Sequence, residues 1–366
     1  MNKLVLSLFV ALALLSCKKS GENIVWERTY GKGKALCVRN TADTGIVSCG
    51  QMEGNQYLLL TDLNGIRTLE YKPSKQGALT AVIPATGCFI AAGVTEGKME
   101  ISRIGTSGQA DWDTTFTTSF TVDHTALCDL GNGSYLAVGS ADPDSAKREI
   151  TGLSLIVIGA DGSISFRQDS VYSSYIAVRS VATDASGNLY MAMTRIGTGG
   201  KMKASVVKYN QDFQKIYEKE LYNNPAYSAA SQGITVDDEG NPLVSGRTEL
   251  SINTGTADNA FAAKYFFKGD SLQKQYLEFR NSGTEIKSDG AGQFIVLNKN
   301  CLIVDFLGER TKISGIVRMF SSCDSKTTDA FGQSIDLISS GNFVIAGSKS
   351  NYYYLAVKSS SALSPV

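Results

Sequence analysis

The chain holds one histidine, His124, set between Asp123 and Thr125. Imidazole is the side chain whose ordinary titration falls near neutrality, which makes His124 the natural candidate for a proton shuttle. With a single imidazole, a His-built metal site, a Ser-His-Asp triad or a Cys-His dyad would each have to run through this residue. Asp123 and Asp329 stand at comparable places ahead of two apolar strands. Carboxylates converging from two such places would form an acid and base pair suited to polysaccharide cleavage. The same residues serve equally as polar strand caps or packed side chains.

The acidic turns Asp184–Asn188 (DASGN) and Asp237–Asn241 (DDEGN) resemble fragments of a Ca²⁺ loop, but an oxygen cage needs six or more ligands and a distal carboxylate. Asp and Asn also hold tight turns through side-chain bonds to their own backbone, and sibling turns lacking the acid favour that reading. The expectation is no metal and no cofactor. Of seven cysteines, Cys37, Cys49, Cys88, Cys128, Cys301 and Cys323 sit mostly in apolar segments with no C-x-x-C pair, so core packing is their default role. Cys37 and Cys49 lie six residues either side of Asp43, the centre of a turn. They should face each other across adjacent strands, free or bonded.

The elements that must position these groups repeat. A short apolar strand ends at Gly50, Gly93, Gly139, Met193, Gly246, Asn298 and Gly347, at intervals of 43, 46, 54, 53, 52 and 49 residues. A turn rich in Gly, Asn or Asp commonly precedes it, a second apolar run follows (Tyr57 to Gly65, Leu153 to Gly162), and a more polar strand comes next. Four strands per unit, with the middle ones apolar on both faces, is what a blade wedged between blades requires. The predicted fold is all-β: a seven-bladed β-propeller of four-stranded antiparallel blades. The last unit lacks a fourth strand, and Ile24 to Tyr30 (IVWERTY) has the fourth-strand pattern seen around Trp112, so the N-terminal strand is expected to close blade seven and remove an exposed edge.

Composition excludes several classes. The 366 residues are 43% hydrophobic, and 35 basic residues balance 35 acidic ones, so neither disorder nor nucleic-acid binding is indicated. Met1 to Lys3 followed by the apolar run Leu4 to Leu15 is too short to span a bilayer and reads as a leader. Its ending, Leu14-Leu15-Ser16-Cys17, resembles a bacterial lipoprotein signal of the relaxed type familiar in Bacteroidota. That resemblance implies cleavage before Cys17 and acylation of its thiol, hence a membrane anchor without a spanning helix. The segments IVWERTYG, GNFVIAG and SVATDASGNLYMAM are similar to the repeats of bacterial secreted and lipoprotein β-propellers, a likeness that covers all seven units. Neither the sialidase S-x-D-x-G-x-T-W turn nor a quinoprotein Trp motif occurs, and there are two Trp in all.

The chain therefore divides into a signal peptide (residues 1–16), a lipidated tether (17–23) and a propeller (24–366). The expected location is the cell envelope, anchored in the outer membrane, with its face open. The expected function is non-catalytic binding of a glycan, peptide or protein partner, or scaffolding of an envelope assembly. The alternative is a polysaccharide hydrolase or lyase at the hub. Long loops are expected between the second and third strands of blades three (Ser140 to Gly152), four (Thr194 to Lys203) and five (Arg247 to Ala260). They would bring Lys147, Arg148, Arg195, Lys201, Lys203 and Arg247 near Tyr175, Tyr222 and Tyr227, a mixture suited to anionic or planar ligands.

Overall fold

The computed structural model describes residues 24–42, 45–141, 151–172, 174, 176–196, 200–221, 227–250, 257–268, 271–280, 283–288, 293–298, 302–309, 312–321, 330–338 and 342–359. Cys17, Lys147, Arg148, Tyr175, Tyr222, Asp329, Cys301 and Cys323 lie outside them.

Every described element is a strand. The chain opens with β1 (Ile24–Asn40), β2 (Ile46–Met52), β3 (Asn55–Thr61) and β4 (Arg67–Tyr71). Four-stranded antiparallel sheets follow in sequence order. They comprise β5 (Ala78–Ala85), β6 (Cys88–Thr95), β7 (Lys98–Gly105) and β8 (Ala110–Phe116), then β9 (His124–Asp129), β10 (Ser134–Ser140), β11 (Thr151–Gly159) and β12 (Ile164–Tyr172). Next come β13 (Ile176–Thr183), β14 (Leu189–Ile196), β15 (Met202–Tyr209) and β16 (Lys215–Glu220), and after them β17 (Tyr227–Val236), β18 (Pro242–Leu250), β19 (Ala257–Lys268) and β20 (Ser271–Arg280). The set β21 (Gly283–Ser288), β22 (Gln293–Asn298), β23 (Leu302–Glu309) and β24 (Lys312–Ser321) precedes the last three strands, β25 (Ala330–Ile338), β26 (Asn342–Lys349) and β27 (Tyr352–Ser359).

Those last three strands share one seven-stranded sheet with β1 to β4, because β1 is used twice. Its first half pairs antiparallel with β27, Arg28 opposite Leu355, and its second half with β2, Val38 opposite Ser48. Counting β1 as two consecutive strands divides that sheet into two four-stranded units, which is what a seven-unit ring joined by its N-terminus requires. The first strands of successive units touch in a circuit: β1 on β5, β5 on β9, β9 on β13, β13 on β17, β17 on β21, β21 on β25, and β25 on β1.

Burial follows the position of a strand in its unit. β11 is buried along nearly its whole length, whereas its neighbour β12 is mostly exposed, since a middle strand is sandwiched by adjacent units and an outer strand meets water. Apolar clusters accordingly lie between neighbouring units. Ile90, Ile101 and Phe116 pack on Leu127, Tyr135 and Ile156, and Tyr57 and Leu59 pack on Tyr353 and Leu355. Small hydroxyls stitch the same boundaries near the hub. Thr80 Oγ1 donates to the Thr125 carbonyl at 2.7 Å, Ser140 Oγ to the Val178 carbonyl at 3.0 Å, and the Val38 amide to Ser334 Oγ at 3.0 Å.

The turns between second and third strands differ by unit. Glu53-Gly54, Glu96-Gly97 and Ser350-Asn351 all have positive φ at both positions, the two-residue reversal whose twist matches the strands. The units holding β10, β14 and β18 have longer connections there. Two of those loops are shorter than expected. Arg195 pairs with Lys203 and Arg247 with Ala260 inside the ladders of β14–β15 and β18–β19, because backbone pairing continues until the strands diverge, and polar side chains do not stop it.

Candidate functional site

A cavity of about 320 Å³ sits where the first strands converge, and each of the seven units contributes to its lining. A recurring irregularity aims side chains into it. In six of the seven first strands the register slips by one residue: at Leu36 in β1, Thr80 in β5, Arg179 in β13, Gln232 in β17, Thr284 in β21 and Gln333 in β25. A bulge leaves one residue without a cross-strand partner and turns its side chain out of the pleat. Leu36, Thr80, Arg179, Gln232 and Gln333 all line the cavity. β9 runs in unbroken register and lines the cavity with His124, Thr125, Ala126 and Leu127, joined by Asp123 just before it.

His124 faces the next unit. Its Nε2 lies 2.9 Å from the Arg179 carbonyl oxygen, which only accepts, so this nitrogen carries the proton and donates. The imidazole therefore braces β9 against the bulge of β13. Across the hub, Glu285 ties three units together. Its carboxylate accepts from Arg39 Nη1 at 3.3 Å, Ser334 Oγ at 2.6 Å and the Ile335 amide at 2.8 Å, with Lys287 Nζ at 3.6 Å. Burial alone would raise its pKa, but Lys287, Arg39, the hydroxyl and the amide outweigh burial and hold the carboxyl below its ordinary value. Asp336 completes the cluster, accepting the Asn40 amide at 2.8 Å and lying 3.8 Å from Lys287 Nζ. Arg247 reaches the same cavity from β18.

The residues expected on one recognition face are thus divided. Arg247 belongs to the hub. Arg195 and Lys203 line a second pocket together, Arg195 clamped by Glu218 with Nε and Nη2 each 3.0 Å from a carboxylate oxygen and Lys203 paired with Glu220 at 3.1 Å. Both cations are matched by acids on β16, which lies next to β15 of Lys203 and one strand further from β14 of Arg195, so the positive charge of these two residues is answered within the sheet. Lys201 is half-buried beside the β14–β15 hairpin, and Tyr227 opens β17 opposite Leu250. Asp123 and His124 come together at the hub, while Asp329 is outside the described residues.

The acidic turns have local roles. Asp184 Oδ1 accepts the Ser186 and Asn188 amides at 3.0 and 2.8 Å, and Asp237 Oδ1 accepts those of Glu239 and Asn241 at 3.0 and 2.8 Å. Cys37 and Cys49 face each other across β1 and β2 as expected, both buried, with free thiols. Sequence reasoning missed the bulge residues and the Arg39–Glu285 pair. The available signal was length: bulged first strands spend one residue more than the second strands they pair with.

No protein-family model matches the chain, and no curated protein matches it in sequence. Solved structures do resemble it. The WD40 domain of Pan2 from Neurospora crassa is 11% identical with a TM-score of 0.62 over 89% of each chain. The WD40 β-propeller domain of Doa1 is 13% identical, TM-score 0.61, over 94% of this chain and 99% of that one. Sqt1 from Chaetomium thermophilum is 9% identical, TM-score 0.57, over 93% and 99%. At such identities the likeness concerns architecture alone. Together with the four-stranded antiparallel sheets and the circuit of first strands, it establishes this chain as an all-β protein with a β-propeller fold.

Proposed function

We propose that this protein is a non-catalytic β-propeller of a bacterial cell envelope, held to the membrane by an acylated Cys17, which binds a peptide, protein or glycan partner at the mouth of its hub. The observation that carries the reading is how the hub spends its ionisable groups. His124 is committed to a carbonyl of the adjacent unit, and Glu285 to a guanidinium, a hydroxyl and an amide of two other units. Such groups position strands and present a fixed polar surface; a general acid or base must instead be aimed at a substrate proton. Around them Arg179, Arg247, Gln232 and Gln333 bring planar polar groups from three units to the lining of the cavity. The anchor rests on the likeness of Leu14 to Cys17 to a lipoprotein signal.

One experiment addresses both halves. Wild-type chain, Cys17→Ala and the pair Arg179→Ala/Arg247→Ala are expressed in a bacterial envelope, labelled with a clickable fatty acid, checked for folding by circular dichroism and recovered with their partners. Cys17→Ala should lose the label and leave the membrane fraction. The arginine pair should keep the label and lose a specific partner. Label retained on Cys17→Ala would overturn the anchor, and an unchanged partner set with the folded arginine pair would overturn the hub as the binding site.

A further inference from the structure

Four free cysteines are described, and two of them form a pair. Cys37 on β1 stands directly opposite Cys49 on β2, and their thiols share a hydrogen bond. Directly opposed residues in an antiparallel ladder have Cα atoms roughly 4.5–5.5 Å apart, inside the 4.4–6.8 Å range that a disulfide spans. The two sulfurs are unequal in access. Cys37 follows the bulge at Leu36 and lines the hub cavity at 4% exposure, whereas Cys49 is 0% exposed and is not part of the lining.

We propose that Cys37 is a thiol oxidation site reached through the hub, with Cys49 as its resolving partner and hydrogen peroxide as the oxidant. Access selects the class: at 4% exposure Cys37 presents to the cavity a patch that a molecule near the size of water, of about 30 Å³, can reach and a bulky disulfide cannot. The Cys37 thiolate attacks one peroxide oxygen, the O–O bond breaks, and hydroxide leaves with the thiol's former proton as water. The sulfenic acid left on Cys37 is then attacked by Cys49. The S–S bond forms, the S–O bond breaks, and a second water carries off the Cys49 proton. Two electrons from the pair reduce one peroxide to two waters.

The surroundings favour this division of labour. The hydrogen bond from Cys49 lowers the Cys37 pKa against the effect of burial, and the Arg39 guanidinium assists, while burial pushes Cys49 up. Burial also pushes Cys128 up, to about 12, so that thiol is poorly reactive. The product would fasten β1, the strand shared by the two ends of the chain, to β2.

The test treats the folded chain with hydrogen peroxide, alkylates remaining thiols after denaturation, and maps peptides without reduction. A disulfide joining Cys37 to Cys49, reversed by dithiothreitol and accompanied by unmodified Cys128, is the expected result. In Cys49→Ser, dimedone should capture a sulfenic acid on Cys37. Cys37 and Cys49 still alkylated at peroxide doses that oxidise the half-buried Met202 would overturn the proposal, as would dimedone found only on another cysteine. If Cys49→Ser fails to fold, the wild-type map decides alone.

Discussion

At the scale of single residues, Glu285 is the side chain on which most of the hub converges. Glu285→Ala would take from the Arg39 guanidinium, the Ser334 hydroxyl and the Ile335 amide the acceptor they share at the wall of the hub cavity. Breaking a fully buried charge pair by removing one partner costs about 3–5 kcal/mol; with Arg39 24% and Glu285 14% exposed the loss should fall below that range, and urea unfolding at neutral pH would register it. A pH effect follows from the same contacts. Because the folded carboxyl titrates below its unfolded value of about 4.3, its contribution is present in full above that pH and fades as pH falls through the folded value. Glu285→Gln should therefore flatten the acid limb of the stability profile, and an acid limb identical to wild type would count against the charge network. Nothing local marks this residue. Its stretch, Asn281 to Ser288, reads as a polar strand entry, and its partner Arg39 is 246 positions away. Asp184 and Asp237 were legible by contrast, since the bonds they make close within four residues. His124 was legible as a hub residue but not as a brace, because its acceptor is a backbone carbonyl on another unit.

Among elements, the outer strands grip their neighbours by one device. Trp26 in the first half of β1 donates its Nε1 proton to the Leu63 carbonyl at 2.7 Å, over the turn that joins β3 to β4. Trp112 in β8 does the same to Ala160 at 3.2 Å, over the turn joining β11 to β12. Phe166 in β12 stacks at 4.5 Å on Phe213, in the turn between β15 and β16. In the two Trp cases a glycine makes room: a Cβ on Gly65 would stand 2.8 Å from Trp26 Cζ3, and one on Gly162 would stand 3.3 Å from Trp112 Cδ2. Gly65→Ala therefore meets both a positive φ of 75° and an indole ring, whereas Gly54→Ala meets a φ of 84° in open space. The second substitution should cost about 1–2 kcal/mol from backbone strain alone. The first should exceed it by a further 1–3 kcal/mol of overpacking, and equal losses in paired denaturant titrations would refute the grip. The likeness of Trp26 to Trp112 was visible in the sequence because both sit in alternating polar strands. The bulges at Thr80, Arg179, Gln232 and Gln333 were not, because a bulge is a property of pairing between two strands, and composition records only one of them at a time.

For the whole molecule, repetition explains why so much of the architecture could be read in advance. Apolar runs every fifty residues or so cannot bury themselves singly and must stack, and the shortfall of one strand in the last unit is supplied by Ile24 to Lys32 of β1. Function was less legible because the hub draws side chains from every unit, and their juxtaposition exists only when the circuit of first strands is complete. The hub cavity, the Arg39–Glu285 tie and the opposed cysteines all depend on β1 joining both ends. Its first half is held by the β27 ladder, by Glu27 paired with Lys349 at 2.7 Å, and by the Tyr30 hydroxyl on the Gly65 carbonyl at 2.8 Å. The measurement that tests this most directly is native-state hydrogen exchange on the full chain and on one lacking Glu22 to Tyr30. Removal of the shared strand should strip protection from the amides of β27 and lower the stability of every unit together, because each depends on its neighbours. Unchanged protection along β27, with an unchanged melting temperature, would contradict closure through β1.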